Sequence, residues 1–98
     1  MRERTVERAL VKAVQARGGI CPKWVSPGLD GVPDRIVLLP KGKIGFVELK
    51  APGEHARSLQ EARIRQLNRL GYKAVVCDRV DLIDGILNEI EGCENDPD

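Results

Sequence analysis

Two apolar runs of strand length, Ile36-Val37-Leu38-Leu39 and Ile44-Gly45-Phe46-Val47, are separated only by Pro40-Lys41-Gly42-Lys43. That spacing leaves the chain little choice but a β-hairpin. Proline at the first central position suits a type I turn. Glycine two residues later can take the left-handed conformation that closes a three-residue loop with a bulge. Leu39 then closes against Lys43, and counting outward sets Leu38 opposite Ile44, Ile36 opposite Phe46 and Asp34 opposite Glu48. A four-residue loop would shift the register by one and send Asp34 to the face away from Glu48.

In the first register two carboxylates face each other with Cβ atoms about 4.5–5.5 Å apart, a repulsive arrangement unless something offsets it. A hard divalent cation does so, since Mg²⁺ is bound through one or two carboxylates plus water and substrate phosphate. Lys50 lies two residues beyond Glu48 and points from the same face. Two acids and an ammonium are the tools of metal-assisted phosphodiester hydrolysis, in which the ion activates water and neutralises phosphate while the amine places the nucleophile.

Pro33-Asp34, thirteen intervening residues after Asp34, then Glu48-Leu49-Lys50 resembles the PD-(D/E)xK nuclease signature. The fuller strings Gly31-Val32-Pro33-Asp34-Arg35 and Phe46-Val47-Glu48-Leu49-Lys50-Ala51-Pro52-Gly53 resemble its VRR-NUC branch in particular. The resemblance implies a restriction-endonuclease-like fold and a Mg²⁺- or Mn²⁺-dependent DNA endonuclease. By it, Asp34, Glu48 and the Leu49 main-chain carbonyl bind the metal, Lys50 serves the attacking water, and Gln60 supports a water or phosphate. It also offers Glu7 as an extra or water-mediated ligand. Small stand-alone members resemble homodimers that cut branched DNA such as four-way (Holliday) junctions, two sites on a two-fold axis nicking symmetric strands.

The remaining residues set bland explanations beside these. Val6, Ala9, Leu10, Ala13 and Val14 recur at helical spacing from Glu3 to about Arg17, with Gly18-Gly19 as a stop. Glu7 lies beside that apolar stripe, where a salt bridge explains it as well as a metal does. Ile20 to Ser26 is expected to be a strand, with Pro22 demoting it to an edge or delaying its start to Lys23. Trp24 is the sole tryptophan and is expected in the core; with Phe46 and Tyr72 as the other aromatics, a base-stacking single-strand binder is disfavoured. Ser58-Leu59-Gln60-Glu61 has the form of a capping box opening a helix on Leu59, Ala62, Leu67 and Leu70, within which Gln60 could be an ordinary exposed amide. Lys73 to Asp78 is expected to be a buried strand. Asp78 or Asp81 then caps a last helix through Leu82, Ile83, Ile86, Leu87 and Ile90.

The expected fold is therefore α+β, a small mixed sheet of about four strands flanked by helices in the order α-β-β-β-α-β-α. One domain over residues 1–92 and an acidic flexible tail over residues 93–98 are expected. A chain of 98 residues buries only roughly 60–65% of its unfolded surface, so a dimer would help its stability. Cys21, Cys77 and Cys93 are too widely spaced for a disulfide framework or a zinc site and are expected to be reduced thiols in the cytoplasm. The net charge is +1, but Arg and Lys concentrate from Arg2 to Arg17 and from Arg57 to Lys73, where they can meet phosphate. Two rivals to the nuclease remain: a non-catalytic nucleic-acid-binding dimer that keeps the fold, and a plain ion-pair network of the acids with Lys50 and Arg35.

Overall fold

The computed structural model describes residues 2–92; Cys93 and the expected acidic tail lie outside the described residues. Helix α1 (Glu3–Ala16) buries Val6, Leu10 and Val14 completely, one residue per turn. It ends because Gly18 adopts a φ of 84°. The Gly18 and Gly19 amides then return to the carbonyls of Gln15 and Val14, the double closure that a left-handed glycine permits.

The hairpin forms in the predicted register: β1 (Arg35–Leu39) runs antiparallel to β2 (Lys43–Leu49), with Leu39 opposite Lys43, Ile36 opposite Phe46 and Arg35 opposite Val47. The loop differs from the expected type I turn. Both Lys41 and Gly42 are left-handed, with φ of 70° and 74°, whereas a type I turn requires negative φ at Lys41. Strand β3 (Lys73–Cys77) pairs parallel with β2, Glu48 opposite Val76, so the sheet order is β1-β2-β3 and the motif strand is central.

The sheet has three strands rather than four. Ile20 to Trp24 does lie antiparallel along β1, exchanging both amide bonds between Ile20 and Leu38 and donating from Trp24 to the Asp34 carbonyl. Between those points Ile36 donates to the Pro22 carbonyl, and Pro22 has no N–H with which to reciprocate. The interrupted ladder leaves isolated bridges at Ile20–Leu38 and Lys23–Arg35.

Strand alternation divides the molecule into two cores. The odd-numbered Val37, Leu39, Val47 and Leu49 pack against α1 and against Ile83, Ile86, Leu87 and Ile90 of α3 (Ile83–Gly92). Gly45 has no side chain where Ile90 presses on β2, a contact that any Cβ would obstruct. On the other face Phe46 and Ala74 meet Leu67 of α2 (Ser58–Arg69), with Ile36, Ile64 and Trp24 at the margin. Trp24 stacks at a tilt on Phe46 with centroids 5.1 Å apart, and Tyr72 meets Phe46 edge-on at 5.5 Å.

Two expectations for α2 are corrected. Ser58 is its first residue rather than its cap, and Arg57 holds the cap position with its amide donated to Gln60 Oε1 at 2.9 Å. Leu59 and Leu70 are exposed rather than core residues, because α2 is anchored mainly by Leu67 and Ile64. Leu59 instead lies under Gly31, which has a φ of 77° and where a Cβ would come within 2.9 Å of the Leu59 side chain and carbonyl. No helix among the described residues is long and apolar enough to cross a membrane.

Candidate active site

The register of the hairpin delivers Asp34 to the position facing Glu48, one pair beyond Arg35–Val47. Pro33 is fully buried, fixing the chain just before the acid. Asp34 is then held from two sides. Its carbonyl accepts from Trp24 at 2.9 Å, and its Oδ2 accepts from the Leu49 amide at 3.0 Å. The acid therefore extends the hairpin ladder by a side-chain bond.

Glu48 sits on the central strand between β1 and β3, and only 1% of its surface is exposed. Its Oε2 accepts from Gln60 Nε2 at 2.7 Å and lies 3.3 Å from Lys50 Nζ. Its Oε1 is buried with no partner among the described residues. Burial first, and the neighbouring charge of Asp34 second, push the Glu48 carboxyl above the ordinary glutamate range. Lys50 and the Asp34 main chain oppose the shift without cancelling it. A buried acceptor left unsatisfied costs about 1–3 kcal/mol, and more when it is charged. Glu48 is thus held in a site that is incomplete as it stands.

Lys50 shares the face of Glu48, as the two-residue period requires, and its amide donates to the Cys77 carbonyl at 3.1 Å. Gln60 is placed in the first turn of α2. With Oε1 on the Arg57 amide and Nε2 on Glu48, its orientation is fixed at both ends. It is a strut between the helix start and the acid rather than a loose surface amide.

Glu7 is not brought to this cluster. Arg35 Nε and Nη2 both donate to its Oε2, at 3.0 and 2.9 Å, while Arg35 Nη1 donates to the Cys21 carbonyl at 2.8 Å. The reason is strand parity: Arg35 follows Asp34 and so projects to the opposite sheet face, where α1 packs. The rival reading of one ion-pair network joining the acids to Lys50 and Arg35 is not what forms: Lys50 serves Glu48 and Arg35 serves Glu7. Among the described residues no three Asp, Glu, His or Cys side chains converge as a metal cluster. The donor set is two carboxylates, and the vacant Oε1 of Glu48 beside Asp34 fits a divalent cation that draws its other oxygens from main chain, water and phosphate.

Sequence reasoning did not single out Arg63 as a tie for the loop before Asp34. Its Nε donates to the Asp30 carbonyl at 3.0 Å, locking that loop to α2. The signal available was the Gly28-Leu29-Asp30-Gly31 loop itself, whose carbonyls need donors that no strand supplies. Cys21 and Cys77 are buried free thiols, and burial raises Cys21 to a pKa of about 11, so it is an inert core group.

A short hairpin carrying Asp34, a buried Glu48-Leu49 and a partly buried Lys50, flanked by helices on both faces of a mixed sheet, defines a PD-(D/E)xK-type centre. Comparisons with known proteins agree. Residues 2–81 match the family model of the VRR-NUC domain. A protein of Acyrthosiphon pisum secondary endosymbiont phage 1, named "Putative nuclease p44", is 50% identical over 82 residues, spanning 84% of this chain and 88% of its own. A solved structure described as a VRR_NUC domain superposes with a TM-score of 0.81 at 26% identity, covering 88% of this chain and 94% of that one. The chain belongs to the VRR-NUC family of nucleases.

Proposed function

We propose that the protein is a Mg²⁺- or Mn²⁺-dependent endonuclease that hydrolyses phosphodiester bonds in DNA, acting as a homodimer with a preference for branched substrates such as four-way junctions. The observation that carries the reading is the buried Glu48 with one carboxylate oxygen unpartnered, next to Asp34 and Lys50. Asp34 and Glu48 would hold the ion, with the Leu49 carbonyl as a further ligand. Once bound, such an ion acidifies water and offsets the negative charge on the phosphate.

The protein groups do the positioning. Gln60 Nε2 and Lys50 Nζ both bond to Glu48 Oε2, which fixes the carboxylate and leaves Oε1 without a partner among the described residues. Lys50 is a compact ammonium with three donors. One is taken by Glu48, leaving others to orient the attacking water and to stabilise the charge that grows on the phosphoryl oxygens. Water oxygen adds to phosphorus as it gives up one proton to solvent, one P–O ester bond breaks, and the leaving oxygen takes up a proton in exchange. Glu7, spent on Arg35, takes no direct part.

Support for the dimer is the half-open sheet face. Helix α2 covers the β3 side, while Ile20 beside β1 and Ile44 near the start of β2 are 60% and 38% exposed. A second copy covering this face would add the burial that a domain of this size lacks. The test is a cleavage panel of single-stranded, duplex, flap and four-way DNA with Mg²⁺ and Mn²⁺, alongside sedimentation at micromolar protein. Cutting of four-way DNA by a dimer, abolished by EDTA, is expected. A monomer that cuts no substrate with either ion would overturn the proposal.

A further inference from the structure

The charged side chains of the described residues divide into those with partners and those without. Arg17 is tied to Asp84 and Glu91, Arg35 to Glu7, Lys50 to Glu48, Lys73 to Glu89 and Arg79 to Asp81. Arg4, Arg8 and Lys12 on α1 are exposed and form no ion pair or side-chain hydrogen bond with any described residue. They stand four residues apart, so they make one row running about 12 Å along the helix at 1.5 Å per residue. Like charges at this spacing destabilise an isolated helix by about 0.2–0.5 kcal/mol per pair. Folding alone gives no reason for two such pairs in succession.

The same three cations line a cavity of about 400 Å³ together with Glu7, Val11 and Arg35. Within it the single acid is already neutralised by the Arg35 fork, so the cavity presents three uncompensated positive charges over a partly apolar floor. The cavity lies on the sheet face away from Glu48 and is linked to the active site through the chain. Arg35 directly follows Asp34, which places the cationic row at the strand end that carries the acids, on the opposite side of the sheet from α2.

We propose that the Arg4–Arg8–Lys12 face of α1 is a nucleic-acid backbone site, taking successive phosphates of DNA outside the bond being cut. The occupant follows from complementarity. A row of separate point charges matches a linear polyanion that presents a phosphate about every 3.4 Å of axis per strand. Among the described residues no acid is ion-paired with the row, which leaves it available. Lysine and arginine in this role position the DNA without reading its sequence. The inference takes from the proposed function only that DNA is the substrate.

The test measures binding of a fluorescent 30-base-pair duplex in EDTA, so that cleavage plays no part, over a range of NaCl concentrations. The wild type is compared with Arg8→Gln/Lys12→Gln and with the control Lys73→Gln/Arg79→Gln, which removes the same net charge from paired positions. Each phosphate contact contributes about 0.9 to the slope of log K against log salt. Arg8→Gln/Lys12→Gln should therefore lower the slope by about 2 and weaken binding at least about tenfold in 0.1 M NaCl, with the control moving the slope by less than about 0.5. Lys12→Gln alone should give about half the slope change, and because glutamine matches arginine and lysine in helix propensity while relieving the like-charge pairs, the melting temperature of the two α1 variants should stay at or above the wild-type value. An unchanged slope in the double variant, an equal loss in the control, or no duplex binding by the wild type would each overturn the inference. A wild type that binds through this face yet cuts no DNA with Mg²⁺ or Mn²⁺ would overturn the nuclease proposal and leave this one standing.

Discussion

Two acid–base pairs lie at the same end of the hairpin on opposite faces of the sheet, and they are built to different standards. On the α1 side, Glu7 receives two donors from one Arg35 guanidinium, which spends its third nitrogen on the Cys21 carbonyl. On the α2 side, Glu48 is more deeply buried, yet one oxygen has no partner among the described residues and Asp34 repels it. The first pair is complete and needs nothing else. The second is in deficit, and a protein keeps such a deficit where a ligand fills it.

The largest effect should come from breaking the incomplete pair. Glu48→Ala or Lys50→Ala should lower cleavage of four-way DNA by about a hundredfold to a thousandfold, the scale lost when a charge-stabilising group is removed from a transition state, while circular dichroism shows a folded chain. Glu7→Gln should cost less than about tenfold in rate, since no step of chemistry is assigned to it. If Glu7→Gln abolished cleavage and left the melting temperature alone, the contrast would fail.

Stability should respond in the opposite order. Glu7→Ala strands a partly buried guanidinium and should destabilise the protein by about 1–3 kcal/mol, roughly 4–8 °C per kcal/mol in a domain of this size. Glu48→Gln should instead raise the melting temperature of the metal-free protein by a few degrees, because it removes a charge whose burial and proximity to Asp34 are unfavourable. The pH dependence follows from the same shift. The raised folded-state value means that the native state holds a proton the unfolded chain has released. Stability of the metal-free protein therefore falls as pH rises from the ordinary glutamate value of about 4.3 through the higher folded value. Thermal melts across that window should show the fall in wild type and a flatter profile in Glu48→Gln.

The smallest expected effect concerns the hairpin tip. Lys41 has a φ of 70°, a conformation costing about 1 kcal/mol in a side-chain-bearing residue. Lys41→Gly should therefore stabilise the fold by about 0.5–1 kcal/mol in urea titration. Loss of stability would show that the lysine side chain compensates its own backbone.

Much of this arrangement was legible in the chain. Pro40 and Gly42 set the loop length, the loop length sets the register, and the register puts Asp34 opposite Glu48. The turn type was not legible, because proline at the first position suits types I and II alike and only tertiary packing chooses between them. The strand at Ile20–Trp24 was half legible: Pro22 marks a break, but the bonds on either side of it depend on β1 lying alongside. Glu7 could be read as an ion-pair partner or as an extra ligand, because its place beside the stripe of α1 says that it leans inward, not which partner waits there; the structure pairs it with Arg35. The period of two, applied to Arg35 as it was to Lys50, would have named that partner. Gln60 could be read as a surface amide or a site residue, and only the approach of α2 to Glu48 decides.

Calorimetric titration of Mn²⁺ into wild type, Asp34→Ala and Glu7→Ala tests the central claim most directly. The account predicts saturable binding by wild type and Glu7→Ala and none by Asp34→Ala, whereas no binding by wild type, or undiminished binding by Asp34→Ala, would contradict it.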